Sequence, residues 1–299
     1  MMLRTAINGF FMALADSVPG VSGGTIALIM GFYDNFIGSI NKVIYGSLSE
    51  KKEGVIYLLK LFVGWAIGMG AAVLVLTAFF EKNIYAVSSL FLGFIFPSIF
   101  IIAKEEYPVI KNKYKYIPLV FLGAAIVVAL TFFNMKSSTL SLDMQAFNIK
   151  TAAYLFVAGA VAITAMFLPG ISGSTVLLIF GVYLPVIDSV KEVLHLNFKV
   201  IPMLAVFGTG IIFGALISVK SIQKSLEKFR GQTVMLIIGM LLGSLYAIVA
   251  GPVTVLKSNE ILNIGNFSVV FFVIGVALIA LLEFVKYRFE KSKQDPISQ

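Results

Sequence analysis

Long apolar runs separated by short charged stretches extend along the whole chain. Ile84–Ala103, Tyr116–Met135, Val200–Val219, Gly231–Leu256 and Ile264–Leu282 contain no charged residue, and Val55–Phe79 is interrupted only by Lys60. As helices, each is about long enough to cross a hydrocarbon core of roughly 30 Å. Two more apolar segments, Ala6–Ala15 and the stretch ahead of Pro169, each run into a cluster of Pro, Gly, Ser and Thr, after which apolar sequence resumes. The pattern predicts six spanning helices and two short helix–break–helix units.

The two breaks are copies. At a constant offset of 150, Ala15–Ser39 and Ala165–Ser189 are identical at 12 of 25 positions, among them Pro19/Pro169, Gly20/Gly170, Ser22/Ser172, Gly23/Gly173, Thr25/Thr175, Gly31/Gly181 and Tyr33/Tyr183. Weaker echoes follow in the same order: Gly64-x5-Gly70 with Gly208-x5-Gly214, Gly93 and Ser98 with Gly239 and Ser244, and Gly123 with Gly275. Self-similarity of this kind marks a duplicated architecture. The expected organisation is residues 1–140 as a first repeat and 141–299 as a second, in one integrated membrane domain, with the boundary in the polar stretch Lys136–Lys150.

Composition removes the soluble alternatives. Of 299 residues 59% are hydrophobic and 13% charged, with a mean hydropathy of +0.97, whereas a soluble domain is nearer half apolar and a quarter charged. The net charge of +8 sits in short loops between apolar runs. It therefore bears on orientation and anionic lipid rather than on nucleic acid. There are no cysteines and one histidine, His195, so neither thiolate chemistry nor a histidine-based metal site is expected, and no cofactor is implied. Arg4, the apolar Ala6–Ala15 and Ala13-Leu14-Ala15 imitate a cleavable signal. The recurrence of such a segment before Pro169 favours its retention in the mature protein.

Loop charge also tests how the broken units sit. If each is a re-entrant hairpin that enters and leaves on one side, 16 Lys and Arg fall on one face and 6 on the other; if each is a single broken span, the split is 12 against 10. Positive-inside bias favours the hairpins, although two full crossings per unit would give the same loop sides. The expected fold is thus an all-α polytopic membrane protein of two inverted repeats. Each repeat is a re-entrant helical hairpin plus three transmembrane helices, and both termini are cytoplasmic.

The residue types at the break point to an anion. In Pro19-Gly20-Val21-Ser22-Gly23-Gly24-Thr25, the proline removes a backbone donor and the glycines permit positive φ and close approach. Ser or Thr there can cap the following helix, leaving amides, partial positive charge and hydroxyls at its start. Irregular backbone at membrane depth is tolerated only where protein buries it or it lines a wet cavity, and two such breaks in inverted repeats fit the discontinuous helices of secondary transporters. Candidate anion ligands are Ser22, Gly23, Gly24 and Thr25 with Ser172, Gly173, Ser174 and Thr175. Pro19, Gly20, Pro169 and Gly170 would make the breaks, and a continuous apolar helix is expected after each. Asp16 stands beside the first break where the second has Met166. As an intramembrane acid it is a candidate for proton coupling, and a solvated or capping acid is the plain alternative. Lys60 snorkels or supplies counter-charge, and Tyr33 and Tyr183 are candidates for interfacial anchoring or headgroup contact. Gly64/Gly68 and Gly239/Gly243 are expected to be small-residue packing sites. Gly20-Val21-Ser22-Gly23-Gly24 matches a nucleophile-elbow pattern, but hydrolase chemistry lacks a histidine partner.

Asp16-Ser17-Val18-Pro19-Gly20-Val21-Ser22-Gly23-Gly24-Thr25, then Gly31-Phe32-Tyr33, and later Leu168-Pro169-Gly170-Ile171-Ser172-Gly173-Ser174-Thr175 resemble the PopT family. That resemblance covers essentially the whole chain. It implies a non-enzymatic translocase in the bacterial cytoplasmic membrane. The implied task is to return undecaprenyl phosphate from the outer to the inner leaflet for synthesis of cell-envelope polymers, with protons as a candidate coupling ion. From the residues alone a transporter or channel for a small inorganic anion remains open. So does an enzyme acting on a lipid phosphate, although no catalytic cluster supports it.

Overall fold

The computed structural model describes residues 2–16, 22–71, 77–111, 113–136, 144, 148–256 and 260–294. All regular structure among them is helical. The first half comprises α1 (Met2–Asp16), α2 (Gly23–Ile29), α3 (Tyr33–Tyr45), α4 (Leu48–Ala71), α5 (Thr77–Glu105), the short α6 (Tyr107–Ile110) and α7 (Ile117–Lys136). The second comprises α8 (Ile149–Phe167), α9 (Gly173–Ile179), α10 (Tyr183–Leu194), α11 (Ile201–Lys228), α12 (Arg230–Leu256) and α13 (Val269–Gln294). Among the described residues, six helices are long and apolar enough to cross a bilayer: α4, Asn83–Glu105 of α5, Tyr114–Met135, α8, Phe198–Lys228 and Arg230–Val253. The chain is a multi-pass membrane protein.

The number of long spans matches the apolar pattern, but the set differs. The helix ahead of the second break, α8, has 19 residues and is not short, while the apolar part of α13 is only Val269–Leu281. The run Val55–Phe79 is not described as one helix: α4 ends at Ala71, residues 72–76 lie outside the described residues, and α5 carries a non-helical kink at Asn83.

A second correction concerns the sequence after each break, where the expected continuous helix is cut after two turns. In the first copy Phe32 N–H donates to Ala27 O (2.9 Å) and Gly31 N–H to Leu28 O (3.0 Å); in the second, Val182 N–H donates to Leu177 O (2.9 Å) and Gly181 N–H to Leu178 O (2.9 Å). This is a Schellman stop, which needs a left-handed residue just past the helix. Gly31 (φ 71°) and Gly181 (φ 65°) supply it. In the second half the chain turns by 110° between α9 and α10.

Glycines set how the helices meet. A Cβ on Gly64 would strike the carbonyl of Ala6, and one on Gly68 that of Phe10; likewise Gly210 faces Phe156 and Gly214 faces Ala160. Small residues let backbones approach this closely in lipid, where helix association depends on van der Waals contact. The ascending order of these pairs makes α1 run parallel to α4, and α8 parallel to α11. They also correct the repeat register: Gly64 and Gly68 correspond to Gly210 and Gly214. Gly70 and Gly208, which the echo matched to Gly214 and Gly64, have nothing within 4 Å of a Cβ.

The halves interlock. Gly239 packs on Val120 and Gly243 on Ala124, so α12 runs parallel to α7; Gly93 and Gly275 meet where α5 packs on α13. Both pairings join one half to the other, while a cluster of Leu155, Val182, Val200 and Met203 packs within the second half alone. At one end Arg230 adds a polar tie. Its Nε donates to Glu106 Oε2 (3.0 Å), its Nη2 to Glu106 Oε1, and its Nη1 to Asp34 Oδ2 (3.1 Å). Side chains such as Phe121, Phe133, Ile212 and Val270 point outward, as a lipid-facing surface requires.

Candidate functional site

The two breaks meet in the middle of the protein. Ser22, in extended conformation (φ −122°, ψ 140°), caps α2: its Oγ accepts from Thr25 N–H at 3.3 Å. The same hydroxyl donates to Leu168 O at 3.4 Å, and Thr25 Oγ1 accepts from Gly170 N–H at 2.7 Å. Tyr33 donates its hydroxyl to Phe167 O at 2.8 Å. Side chains of the first break and of the turn after it thus satisfy backbone groups of the second, which the Pro–Gly sequence leaves without helical partners. Gly170 is left-handed (φ 87°) and packed on the carbonyl of Met240. Pro19 and Gly20 lie outside the described residues.

Around this shared centre the breaks differ. At the first, Gly23 N–H donates to Asp16 Oδ1 at 2.7 Å and the Trp65 indole Nε1 donates to Oδ2 at 3.0 Å. One carboxylate oxygen therefore accepts from the first amide of α2 and the other from the indole of Trp65 in α4. Ser22 and Thr25 are each 1% exposed. A Cβ on Gly24 would approach Ser22 Oγ and the carbonyls of Met166 and Phe167. At the second break Met166 borders Gly173 in the position that Asp16 holds beside Gly23. Ser172 makes no side-chain cap for α9; its Oγ lies 2.7 Å from Ser174 Oγ instead.

Beside the second break is a small, partly open pocket. Gly170, Ser172 and Thr175 line it from one side, Thr131 and Asn134 of α7 from another, and Ala247 of α12 closes it. It has room for about one water molecule. The structure therefore brings Ser172 and Thr175 to a pocket and seals Ser22 and Thr25 inside the protein.

One expected interface residue is elsewhere. Tyr33 is 2% exposed and serves the centre rather than the membrane surface; its repeat partner Tyr183 is half-buried, as is Lys60 on α4. Thr131 and Asn134 escaped sequence reading, although they are the polar side chains, three apart, in the otherwise apolar run from Tyr116 to Met135. Among the described residues no group of three or more His, Asp or Glu is placed to hold a metal ion.

A sequence profile of the VCA0040-like family, described as undecaprenyl phosphate translocase-like, matches residues 12–263. The chain belongs to this family. It is 34% identical over 248 residues to a polyprenyl-phosphate transporter of Staphylococcus aureus, covering 82% of this chain and 85% of that protein. It is 32% identical over 253 residues to a polyprenyl-phosphate transporter of Vibrio cholerae, covering 81% of this chain and 76% of that protein. No solved structure matches the chain. The family match includes both breaks and the residues that line the pocket beside the second.

Proposed function

We propose that this protein carries polyprenyl phosphate across the bacterial cytoplasmic membrane, returning the lipid carrier from the outer to the inner leaflet for cell-envelope synthesis. The observation that carries the reading is the meeting of the two breaks, Thr25 with Gly170 and Ser22 with Leu168, beside a pocket lined by Ser172 and Thr175. The named relatives supply the lipid; helix-start amides and hydroxyls supply a reason for the phosphate. Because α2 and α9 have only seven residues each, attraction comes from their local N–H groups and not from a long dipole, whose effect falls off within the first turn in any case.

Parallel packing supports the inverted, re-entrant arrangement. With α4, α5 and α7 alternating in direction, α12 parallel to α7 makes the preceding α11 opposite to α4. Since α1 is parallel to α4 and α8 to α11, each chain segment that reaches a break returns to its starting side through α2–α3 or α9–α10. Residues 1–140 and 141–299 then form inverted repeats, and loop charge puts both termini in the cytoplasm.

In the mechanism, Ser172, Gly173, Ser174 and Thr175 hold the phosphate first, while the isoprenoid tail stays in lipid. Relative movement of the repeats breaks the contacts between them and offers Ser22, Gly23, Gly24 and Thr25 from the opposite side. Asp16 is the coupling group: a proton on it turns an accepting oxygen into a donor and loosens its hold on Gly23. No covalent chemistry is required, so the protein acts as a transporter and not as an enzyme. The test is reconstitution in proteoliposomes with a labelled polyprenyl phosphate in one leaflet. The intact protein is expected to move the label, and Ser22→Ala and Ser172→Ala to slow it at least tenfold. Equal rates with and without protein overturn the proposal. Uptake of inorganic phosphate or chloride that polyprenyl phosphate does not compete would favour the small-anion reading.

A further inference from the structure

We infer that Asn134 and Thr131, on the last turns of α7, complete the phosphate site at the second break, so that a helix of the first repeat supplies ligands to the break of the second. This rests on the phosphate reading above and adds residues that neither the repeat motif nor the relatives' names assign.

Three observations converge. Both side chains line the pocket beside the second break, together with Ser172 and Thr175. They lie three residues apart, hence on one helix face, and that face also carries Gly123 and Val127, which point into the protein against α12 and the pocket. A polar residue serving only to wet the end of a span has no reason to select this inward face, because water reaches the end from every side. Their chemistry is also complementary. Asn134 carries an amide group, whose N–H is a kind of donor that phosphate oxygens accept. Thr131 spends its proton on Val127 O at 2.9 Å, so its oxygen is presented as an acceptor, suited to the P–OH of a singly protonated phosphate. In this structure the pocket has room for about one water molecule, so the headgroup enters only as α7 and the second break separate.

The repeat separates the two sides. The offset of 152 that relates Gly123 to Gly275 relates Thr131 to Glu283 and Asn134 to Lys286, so the counterpart positions in α13 carry charges where α7 carries a hydroxyl and an amide.

The test measures binding of a short-chain polyprenyl monophosphate, and separately of inorganic phosphate, to the purified full-length protein in nanodiscs. The intact protein is compared with Asn134→Leu, Asn134→Gln, Thr131→Val and Ser172→Ala. The expected result is a loss of at least tenfold for Asn134→Leu, partial recovery in Asn134→Gln, a smaller loss for Thr131→Val, and unchanged thermal unfolding throughout. If Ser172→Ala weakens lipid binding while both Asn134→Leu and Thr131→Val bind normally, the inference is overturned and the transport proposal stands. If the intact protein binds no polyprenyl phosphate, the transport proposal itself fails. Binding of inorganic phosphate alone, lost in Asn134→Leu, would keep the ligand residues and change the substrate. Should Asn134→Leu misfold, Thr131→Val decides, because it preserves side-chain size and branching.

Discussion

At the first break the amide that opens α2 is bound by Asp16, itself held by Trp65, and Ser22 caps the helix. At the second, Met166 borders the first residue of α9, Ser172 makes no cap, and a pocket lies alongside. The two share Pro, Gly, Ser, Gly and Thr at matching positions, so a local reading makes them equivalent. Their surroundings make the first a closed joint around a carboxyl group and leave a pocket beside the second. In the proposed mechanism a strictly symmetric pair would have no reason to prefer one leaflet. A carboxyl group in one break and none in the other would supply a direction.

Converting one break into the other should have the largest effect. Met166→Asp puts a carboxylate at the start of α9, where it would take the amides a phosphate needs. Polyprenyl-phosphate binding by the purified protein is expected to fall more than tenfold; binding at the level of the intact protein would mean that the second break is not the anion site. The reverse change, Asp16→Asn, keeps the shape of the joint and removes its charge. Here binding should stay within a few-fold, while the response of transport to an imposed pH gradient in proteoliposomes disappears. A variant that still responds would remove Asp16 from coupling.

The smallest effect separates the paired threonines. Thr25→Val strips a buried Gly170 N–H of its acceptor, and leaving such a donor unpaired costs about 1–3 kcal/mol. Thr175→Val, beside the pocket, should change stability by less than about 0.5 kcal/mol yet weaken lipid binding. Thermal unfolding in detergent alongside binding reads both. Equal stability losses at the two positions would make the breaks alike after all.

Much of this was legible in the chain. The duplicated motif located both breaks, the absence of charge gave the number of long spans, and small-residue spacing identified Gly64, Gly68, Gly239 and Gly243 as packing sites. Other features were visible but misread. Gly31 and Gly181 end helices, a role that a single apolar run conceals until the turn's hydrogen bonds are seen. The glycine echo in the first span of each half was taken in the wrong register, since several glycines stand close together and only contact shows which of them meet a neighbour.

Sequence by itself determined that the chain is membrane-embedded and doubled, because apolar length and repetition are properties of order along the chain. It determined the polar atoms available at each break for the same reason. Tertiary structure alone decided which of those atoms are spent. Thr25 and Thr175 are the same residue in the same motif, but Thr25 faces an amide from the other half and Thr175 faces a pocket. That difference arises from crossing the repeats, which brings residues some 145 positions apart into hydrogen-bonding distance, and no local pattern encodes it.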